Sequence, residues 1–416
     1  MINMKGSKKT LYVVVDALRS DYVCKTKMPK VAQLAENSVH VEQLVPSPGF
    51  CERVEILTGR ENTDTGYFTA IDRIDPSHKN TFLFGMLSWC SICLGMIESL
   101  FKSYLIFRIR KRLTSRIMKR VWPQYAVPTF NIPLSIYGQF GLSEDAVDQS
   151  LPSAFGVPSI VDQRALRGES VNFQAFTSLG DDSTLLNDQD RMTFVENNLH
   201  TSNDAVFFLY IGELDAMGHK YGPSSSEFAD ILKSVDQSLS DFIERLRAKG
   251  AIELVIIGDH GMSDVTASVD FISEVKKEAK LLGLTNKSDI TIFCDSTVGR
   301  VWVKDDKKRS DLHDSLIKNE HLKSFGTVFE DQDYEKFSVP KNLERHGQVL
   351  WFANNGVVVS PDYFYGEFPP KGMHGYLPVL DENFGMAIFS GDSVRPEKIP
   401  RAKLSAVPTI FEETFG

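Results

Sequence analysis

The chain has 416 residues, of which 42% are hydrophobic and 24% charged, with 28 Gly and 18 Pro. This composition is typical of a globular protein with a sizeable core, and it excludes disordered, fibrous and repeat proteins. The formal net charge of −9 argues against a nucleic-acid partner, because phosphate binding needs a basic surface. Five scattered cysteines do not form a disulfide framework, and the first apolar stretch is too short for a secretory signal, so we expect a cytoplasmic protein.

Three short runs of β-branched and aromatic residues each end in acidic residues. They are 11–15 before Asp16, 206–211 before Glu213 and Asp215, and 254–257 before Asp259. Continuous apolar runs of this length indicate strands that are covered on both faces, as in parallel sheets flanked by helices.

Residues 225–246 lie between the second and third runs and carry apolar residues at helical spacing, with Ser225 near the start and Gly250 after the end. Strand, helix and strand in this order indicate two parallel strands joined by a crossover helix. Asp215 and Asp259 are therefore expected at the carboxyl edge of one sheet, where open α/β folds bind their ligands. The predicted fold class is α/β.

Residues 266–370 break the pattern of this core. They contain strand-like pieces of their own, such as 290–293 and 301–303, and the core pattern resumes after them. We therefore interpret 266–370 as an inserted cap, and residues 1–265 and 371–416 as the two parts of one core.

A second insertion lies at about 82–122. Residues 82–97 carry no charge, whereas residues 81–122 as a whole have eight Lys and Arg residues against one Glu. The uncharged stretch is too short for a simple membrane-spanning helix. Two interpretations stay open: a buried helix followed by a solvated basic helix, or an interfacial hairpin in peripheral contact with the inner face of a membrane.

Two pairs of Asp and His follow the predicted strands. Asp215 and His219 are four residues apart, so a helical turn would bring both to one cation. Asp259 and His260 are adjacent, and both reach one ion only where the chain turns sharply, which the flanking glycines permit. Each pair alone fits equally well a strand-end Asp beside a surface His.

Asp16 and His374 complete a set of three carboxylates and three imidazoles. Each of them is a weak signal alone, since a strand-end Asp commonly caps the following helix. Together the six residues suffice for two metal sites with three protein ligands each and an open position for water or substrate. We therefore expect two divalent ions, with zinc the first choice and manganese an alternative.

The order of these motifs resembles the nucleotide pyrophosphatase/phosphodiesterase branch of the alkaline phosphatase superfamily. The motifs are Val15-Asp16-Ala17-Leu18-Arg19-Ser20-Asp21, Thr58-Gly59, Glu213-x-Asp215-x-x-Gly218-His219-x-x-Gly222-Pro223, Asp259-His260-Gly261-Met262 and His374-Gly375-Tyr376. The resemblance covers residues 11–391. It implies an alkaline-phosphatase-like catalytic core with a mostly parallel central sheet flanked by helices.

The resemblance also distributes the six residues over the two ions. One ion would be held by Asp215, His219 and His374, and the other by Asp16, Asp259 and His260. The nucleophile would lie beside the second ion.

The sequence departs from the family at the nucleophile, which in the family is a Thr, Ser or modified Cys that begins the helix ending at Thr-Gly. The usual spacing back from Thr58 falls on Gly49, which has no side chain. Cys51 is the first candidate, because a thiol that faces a zinc ion is ionised and nucleophilic. Ser47 is the second.

The family's Asn that helps to hold the phosphoryl oxygens falls at Glu52 in this sequence. Arg53 is a candidate for that role, since a guanidinium donates two parallel hydrogen bonds to a phosphate.

These groups suit in-line displacement at phosphorus, where two ions clamp the attacking and leaving oxygens. The predicted function is a metal-dependent hydrolase that cleaves phosphodiester or pyrophosphate bonds through a covalent enzyme intermediate, on a nucleotide-type or lipid-linked phosphate ester. The alternatives are a phosphomonoesterase or phosphotransferase with the same site, and a non-catalytic metal-binding relative that lacks the nucleophile. The sequence carries no signal for the oligomeric state.

Overall fold

The computed structural model of the protein describes residues 9–74, 132–133, 136, 139–176, 185–285, 288–366 and 368–416. The insertion predicted at about 82–122 lies outside these residues. The chain divides into two compact units. Unit 1 comprises Met1–Gly66, Val147–Val265 and Pro370–Gly416, and unit 2 comprises Tyr67–Ala146 and Thr266–Pro369. The segment interpreted as a cap therefore lies in unit 2 except for its last residue, and unit 2 also takes residues 67–146, which the sequence-based boundaries counted with the core.

Unit 1 is built on a seven-stranded sheet. In order across the sheet, the strands are β17 (Glu397–Lys403), β2 (Val39–Val45), β16 (Gly385–Ser390), β7 (Ile252–Gly258), β1 (Lys9–Val15), β6 (Val206–Ile211) and β5 (Val171–Ala175). Strand β16 is antiparallel to both of its neighbours, and all other neighbouring pairs are parallel. The expected α/β fold with a mostly parallel central sheet is confirmed.

The described part of unit 1 also contains α-helices. They are α1 (Pro29–Glu36), α2 (Glu52–Thr58), α3 (Asn62–Thr65), α4 (Ile160–Leu166), α5 (Asp188–Asn198), α6 (Glu213–Tyr221), α7 (Ser226–Lys249) and α13 (Val407–Phe415). Helix α7 is the helix predicted from the apolar spacing, and the side chain of Ser225 caps it by accepting a hydrogen bond from the amide of Phe228. Two short strands, β8 (Ser263–Asp264) and β15 (Gly372–Met373), pair with each other outside the main sheet.

Strand β1 shows why the predicted strands are continuously apolar. Leu11 and Val13 are fully buried in a core cluster that includes Leu239 of helix α7. Tyr12, which points to the opposite face of the strand, stacks on Phe208 of β6 with ring centroids 4.6 Å apart. Because both faces of the sheet are covered, no polar residue can alternate with the apolar ones.

Unit 2 has a smaller, antiparallel sheet. Its strands, in order across the sheet, are β10 (Ile290–Asp295), β11 (Val298–Val303), β13 (Val349–Ala353) and β12 (Gly326–Val328). Two further pairs are β3 (Ile71–Arg73) with β4 (Phe140–Leu142), and β9 (Ala267–Val269) with β14 (Val357–Val359). The described helices of unit 2 are α8 (Phe271–Leu281), α9 (Asp306–Lys318), α10 (Glu320–Phe325), α11 (Asp331–Lys336) and α12 (Leu343–His346).

The strand-like pieces predicted at 290–293 and 301–303 belong to β10 and β11, which confirms both. Among the helices described for the whole chain, none combines the length and the apolar character that crossing a bilayer requires.

Candidate functional site

Three carboxylates lie at one edge of the sheet of unit 1. Asp16 follows the end of β1, Asp259 follows the end of β7, and Asp215 lies in the first turn of α6, directly after β6. Because β1 pairs in parallel with both β6 and β7, the carboxyl ends of the three strands meet at the same edge. The predicted position of Asp215 and Asp259 is therefore confirmed.

The backbone turns sharply after Asp16, where Ala17 adopts a left-handed conformation with φ of 59°. This conformation costs about 1–3 kcal/mol for a residue with a side chain, and it recurs at functional sites. The turn directs the amide of Ala17 to Asp259 Oδ1 at 3.1 Å, and the amide of His260 donates to the same oxygen at 3.0 Å. Two backbone donors thus fix one oxygen of Asp259.

The glycines on either side of Asp259-His260 serve close packing and not the turn that the sequence suggested. Neither Gly258 nor Gly261 has a positive φ. A Cβ on Gly258 would lie 2.0 Å from the carbonyl oxygen of Leu18, and one on Gly261 would lie 2.0 Å from the carbonyl oxygen of Glu382. Glycine is required at both positions because other backbone segments approach Asp259-His260 closely.

Helix α6 brings Asp215 and His219 onto one face, as their spacing predicted. The distance from Asp215 Oδ1 to His219 Nε2 is 3.1 Å. His219 Nδ1 lies 2.8 Å from the carbonyl oxygen of Gly372, which can accept a hydrogen bond only if Nδ1 carries the proton. This contact leaves the lone pair of Nε2 on the side of Asp215, which is the tautomer that a metal ligand needs.

His374 reaches the same place from far along the chain through β15. The amide of Lys371 donates to the carbonyl of His219 at 2.8 Å, and β15 pairs with β8. These contacts set His374 Nε2 at 3.6 Å from Asp215 Oδ1. One of the two predicted sets, Asp215 with His219 and His374, is thereby brought together.

The second set consists of Asp16, Asp259 and His260. His260 Nε2 lies 3.0 Å from Asp16 Oδ1, and His260 Nδ1 lies 2.9 Å from the carbonyl oxygen of Gly261, which again assigns the proton to Nδ1. The hydroxyl of Tyr210 donates a hydrogen bond to the other oxygen of Asp16, Oδ2. Asp16 is thus oriented by a partner that does not occupy its Oδ1.

Both sets fit a divalent cation. Within each set the candidate ligand atoms lie within 4.8 Å of one another. Asp16 Oδ1 and Asp215 Oδ1 are buried, and among the described residues neither accepts a hydrogen bond, although an imidazole nitrogen is about 3 Å away. Carboxylate oxygens and imidazole nitrogens that converge in this way are the donor set that zinc takes in proteins.

The three histidines of the site differ in the direction in which their pKa values are shifted. Burial lowers the pKa of His219 and His260, but the negative charges of Asp215 and Asp259 respectively outweigh it, so both pKa values are raised. Burial together with the charges of the other two histidines lowers the pKa of His374 well below its usual value. Burial also raises the pKa of Asp259 to about 7. Such perturbation by burial and specific charge partners is typical of functional sites.

Helix α2 carries the residues predicted around the nucleophile. It runs from Glu52 to Thr58, so Cys51, which is buried, is its N-cap, and Gly59 ends it with a left-handed φ of 66°. Cys51 therefore directly precedes the helix that ends at Thr58-Gly59, two residues after Gly49, on which the spacing implied by the resemblance falls. Ser47 lies outside the helix.

Ser47 is bound to a carboxylate of the same helix. Its hydroxyl donates to Glu55 Oε1 at 2.6 Å and its amide to Glu55 Oε2 at 2.9 Å. The guanidinium of Arg53 lies over the rings of Phe176 and Tyr210, with centroid distances of 4.6 and 5.0 Å. Its charge contributes to lowering the pKa of Asp16, which places Arg53 at the second set.

Two residues of the site were not among the predicted functional residues. Glu52 is half-buried, and one of its oxygens lies within 4.8 Å of ligand atoms of His260 and His374. Burial raises the pKa of Glu52 to about 8. Tyr210 is the other. The position of Tyr210 near the end of an apolar strand gives no sequence signal of a functional role. Glu52 has such a signal, because it directly follows the candidate nucleophile Cys51.

The fold and the two Asp/His sets define an α/β protein with two candidate metal sites, and comparison with known proteins gives the family. A family model described as type I phosphodiesterase/nucleotide pyrophosphatase matches residues 10–377. The chain belongs to this family, which is a family of enzymes.

Similar proteins of known family agree with this assignment. Ectonucleotide pyrophosphatase/phosphodiesterase family member 7 from Mus musculus is 42% identical over 154 residues, which are 36% of this chain and 34% of that protein. The bis(5'-adenosyl)-triphosphatase ENPP4 from Homo sapiens is 38% identical over 81 residues, 18% of each chain. The matched regions thus span about a third or less of the relatives' length.

Among solved structures, murine ectonucleotide pyrophosphatase/phosphodiesterase 5, in an inactive form in complex with AMP, has a TM-score of 0.67 with 18% sequence identity. The alignment covers 98% of this chain and 94% of that chain. At this level of identity the likeness shows the fold.

Proposed function

We propose that the protein is a two-metal hydrolase that cleaves phosphodiester or pyrophosphate bonds in small nucleotide-type substrates. The convergence of the two Asp/His sets at the carboxyl edge of the sheet supports this proposal most directly. The family and the AMP complex of the murine structural neighbour favour a nucleotide-type phosphate ester over other phosphate esters.

The residues of the two sets would each hold one of the two ions. Asp215, His219 and His374 would hold one divalent ion, and Asp16, Asp259 and His260 the other. When bound, two such ions would supply Lewis-acid stabilisation of the charge on the attacking nucleophile and on the leaving oxygen. The carbonyls of Gly372 and Gly261 hold the protons of His219 and His260 on Nδ1 and so keep both imidazoles in the ligating tautomer.

Cys51 is the proposed nucleophile. Its thiolate would attack phosphorus while the bond from phosphorus to the leaving oxygen breaks, and the leaving oxygen would take up a proton from water. A second water would then cleave the sulfur–phosphorus bond and release the phosphomonoester. Ser47 is the weaker candidate, because its hydroxyl already donates to Glu55 and its position precedes α2.

Hydrolysis of bis(p-nitrophenyl) phosphate with added zinc or manganese tests the activity. We expect Asp215→Ala and His260→Ala to lose turnover and to bind less metal by elemental analysis. His321→Ala, which removes an exposed histidine of α10, is the matched control. Unchanged turnover in both site variants would refute the proposal.

A separate experiment identifies the nucleophile. Intact-mass analysis after brief exposure to the substrate should detect a chain that carries one p-nitrophenyl phosphoryl group in the parent protein and in Ser47→Ala, but not in Cys51→Ala. Cys24→Ala, which removes a free thiol elsewhere in unit 1, controls for the loss of a cysteine. An adduct that disappears only in Ser47→Ala would reverse the assignment. Turnover without an adduct in any variant would argue against a covalent intermediate.

A lipid-linked substrate, peripheral membrane contact and a cytoplasmic location stay predictions. The first two rest on residues 82–122, which lie outside the described residues. Flotation with liposomes of the protein with and without this segment would test the membrane contact, and equal recovery would contradict it.

A further inference from the structure

Glu52 occupies a position that neither of the two Asp/His sets accounts for. It is the first residue of α2, and one of its carboxylate oxygens lies within 4.8 Å of ligand atoms of His260 and of His374. These three residues form a third group with metal-ligand composition in the described part of the chain. The group shares one histidine with each of the two sets.

The two histidines belong to different proposed ions. Their rings stack with centroids 3.9 Å apart and planes 2° from parallel. Glu52 therefore lies near one histidine of each set. This location follows from contacts in the fold, because Glu52, His260 and His374 come from three separate segments of the chain.

We propose that Glu52 supplies a carboxylate ligand shared by the two ions. This inference rests on the proposed function and deepens it, since it makes the centre a single seven-residue unit and not two independent three-residue sites. A carboxylate suits this position because it has two oxygens, each of which can bind one ion. An amide has one oxygen.

The charge balance of the centre favours the same assignment. Asp16, Asp215, Asp259 and Glu52 together bring four negative charges, which match the four positive charges of two divalent ions. The thiolate of Cys51 would add a fifth negative charge, which the guanidinium of Arg53 at the second set balances. A partly desolvated centre without net charge is less costly to bury than one with an excess charge. The added oxygen donor also shifts the preference of the centre from zinc towards harder ions such as manganese.

Metal titration of the purified full chain tests this role. Zinc and manganese affinities and stoichiometries are measured by calorimetry and elemental analysis for the parent protein, Glu52→Gln and Glu52→Asp. Glu55→Gln is the matched control, because it neutralises a buried carboxyl one turn further along α2 whose oxygens bind Ser47. Thermal unfolding without metal confirms that each variant is folded.

A shared ligand predicts that Glu52→Gln weakens the binding of both ions by about tenfold or more, with the larger loss for manganese. Glu52→Asp, which keeps the charge but is one methylene shorter, should recover only part of this loss. Glu55→Gln should bind as the parent does. The inference is overturned if Glu52→Gln keeps the parent's affinities, or if Glu52→Asp restores them fully, since the carboxylate would then act through its charge alone.

Hydrolysis distinguishes this inference from the proposed function. Intact turnover with unchanged metal affinity in Glu52→Gln would refute the shared ligand and leave the hydrolase standing. Weakened metal binding in Glu52→Gln, in a protein that hydrolyses no phosphodiester or pyrophosphate, would support the shared ligand and refute the hydrolase. A parent protein that binds neither ion would refute both.

Discussion

The hydrogen bond from Tyr210 to Asp16 offers the most direct test of how the site is oriented. The hydroxyl of Tyr210 donates to Asp16 Oδ2, which leaves Oδ1 directed towards His260. Tyr210→Phe removes the donor and leaves the ring, which lies under the guanidinium of Arg53. The substitution therefore changes one hydrogen bond and little of the packing.

The expected loss of metal affinity in Tyr210→Phe corresponds to the loss of one hydrogen bond to a charged group. A hydrogen bond to a charged group contributes about 1.5–3 kcal/mol, and the loss of a group that orients a metal ligand typically costs about 10–100-fold in metal affinity. Because Asp16 keeps its contact with His260, we expect the loss to stay within that range and one ion to be affected more than the other.

Competition with a chromophoric chelator measures this loss, with thermal unfolding of the metal-free chain as a check of folding. Tyr221→Phe, at the end of α6, is the matched control for the loss of a phenolic hydroxyl. Metal affinity in Tyr210→Phe that equals that of the control would show that the hydroxyl does not orient Asp16, and the account of the second set would fail.

Three further substitutions test the packing and electrostatics of the fold. Burial raises the pKa of Glu55 to about 7, above its unfolded value, so this group should cost the folded state about 3 kcal/mol of stability as the pH rises from below 4.5 to above 7. Denaturation by urea across this range should show a loss of stability that is smaller by about this amount in Glu55→Gln than in the parent protein, and equal losses would contradict the account. A Cβ on Gly218 would lie 2.4 Å from Met262 Sδ. Gly218→Ala should therefore lower the unfolding free energy by about 1–3 kcal/mol and weaken metal binding. A variant with the melting temperature and metal affinity of the parent protein would contradict this account. In unit 2, Arg300 and Asp295 form a 2.7 Å ion pair with both side chains fully buried. Arg300→Ala should therefore lower the unfolding free energy by about 3–5 kcal/mol in chemical denaturation, because it leaves the Asp295 carboxylate buried without its partner. A loss below about 1 kcal/mol would show that the carboxylate is compensated in another way.

The sequence determined the part of the site that local rules govern. Apolar runs that end in Asp predict the edge of a parallel sheet, and a four-residue spacing predicts that Asp215 and His219 share a helix face; the structure confirms both. These features are predictable because strand burial and helical periodicity act over a few residues.

Only the tertiary structure decided how distant segments meet. The position of His374 depends on the contacts of β15 with β8 and with His219, and the glycines beside Asp259 are required by backbone segments that approach them from elsewhere in the chain. Tyr210 and Glu52 gain their place in the site in the same way. Contacts of this kind depend on the packing of residues that are far apart in sequence, and no local pattern of hydrophobicity or spacing records them.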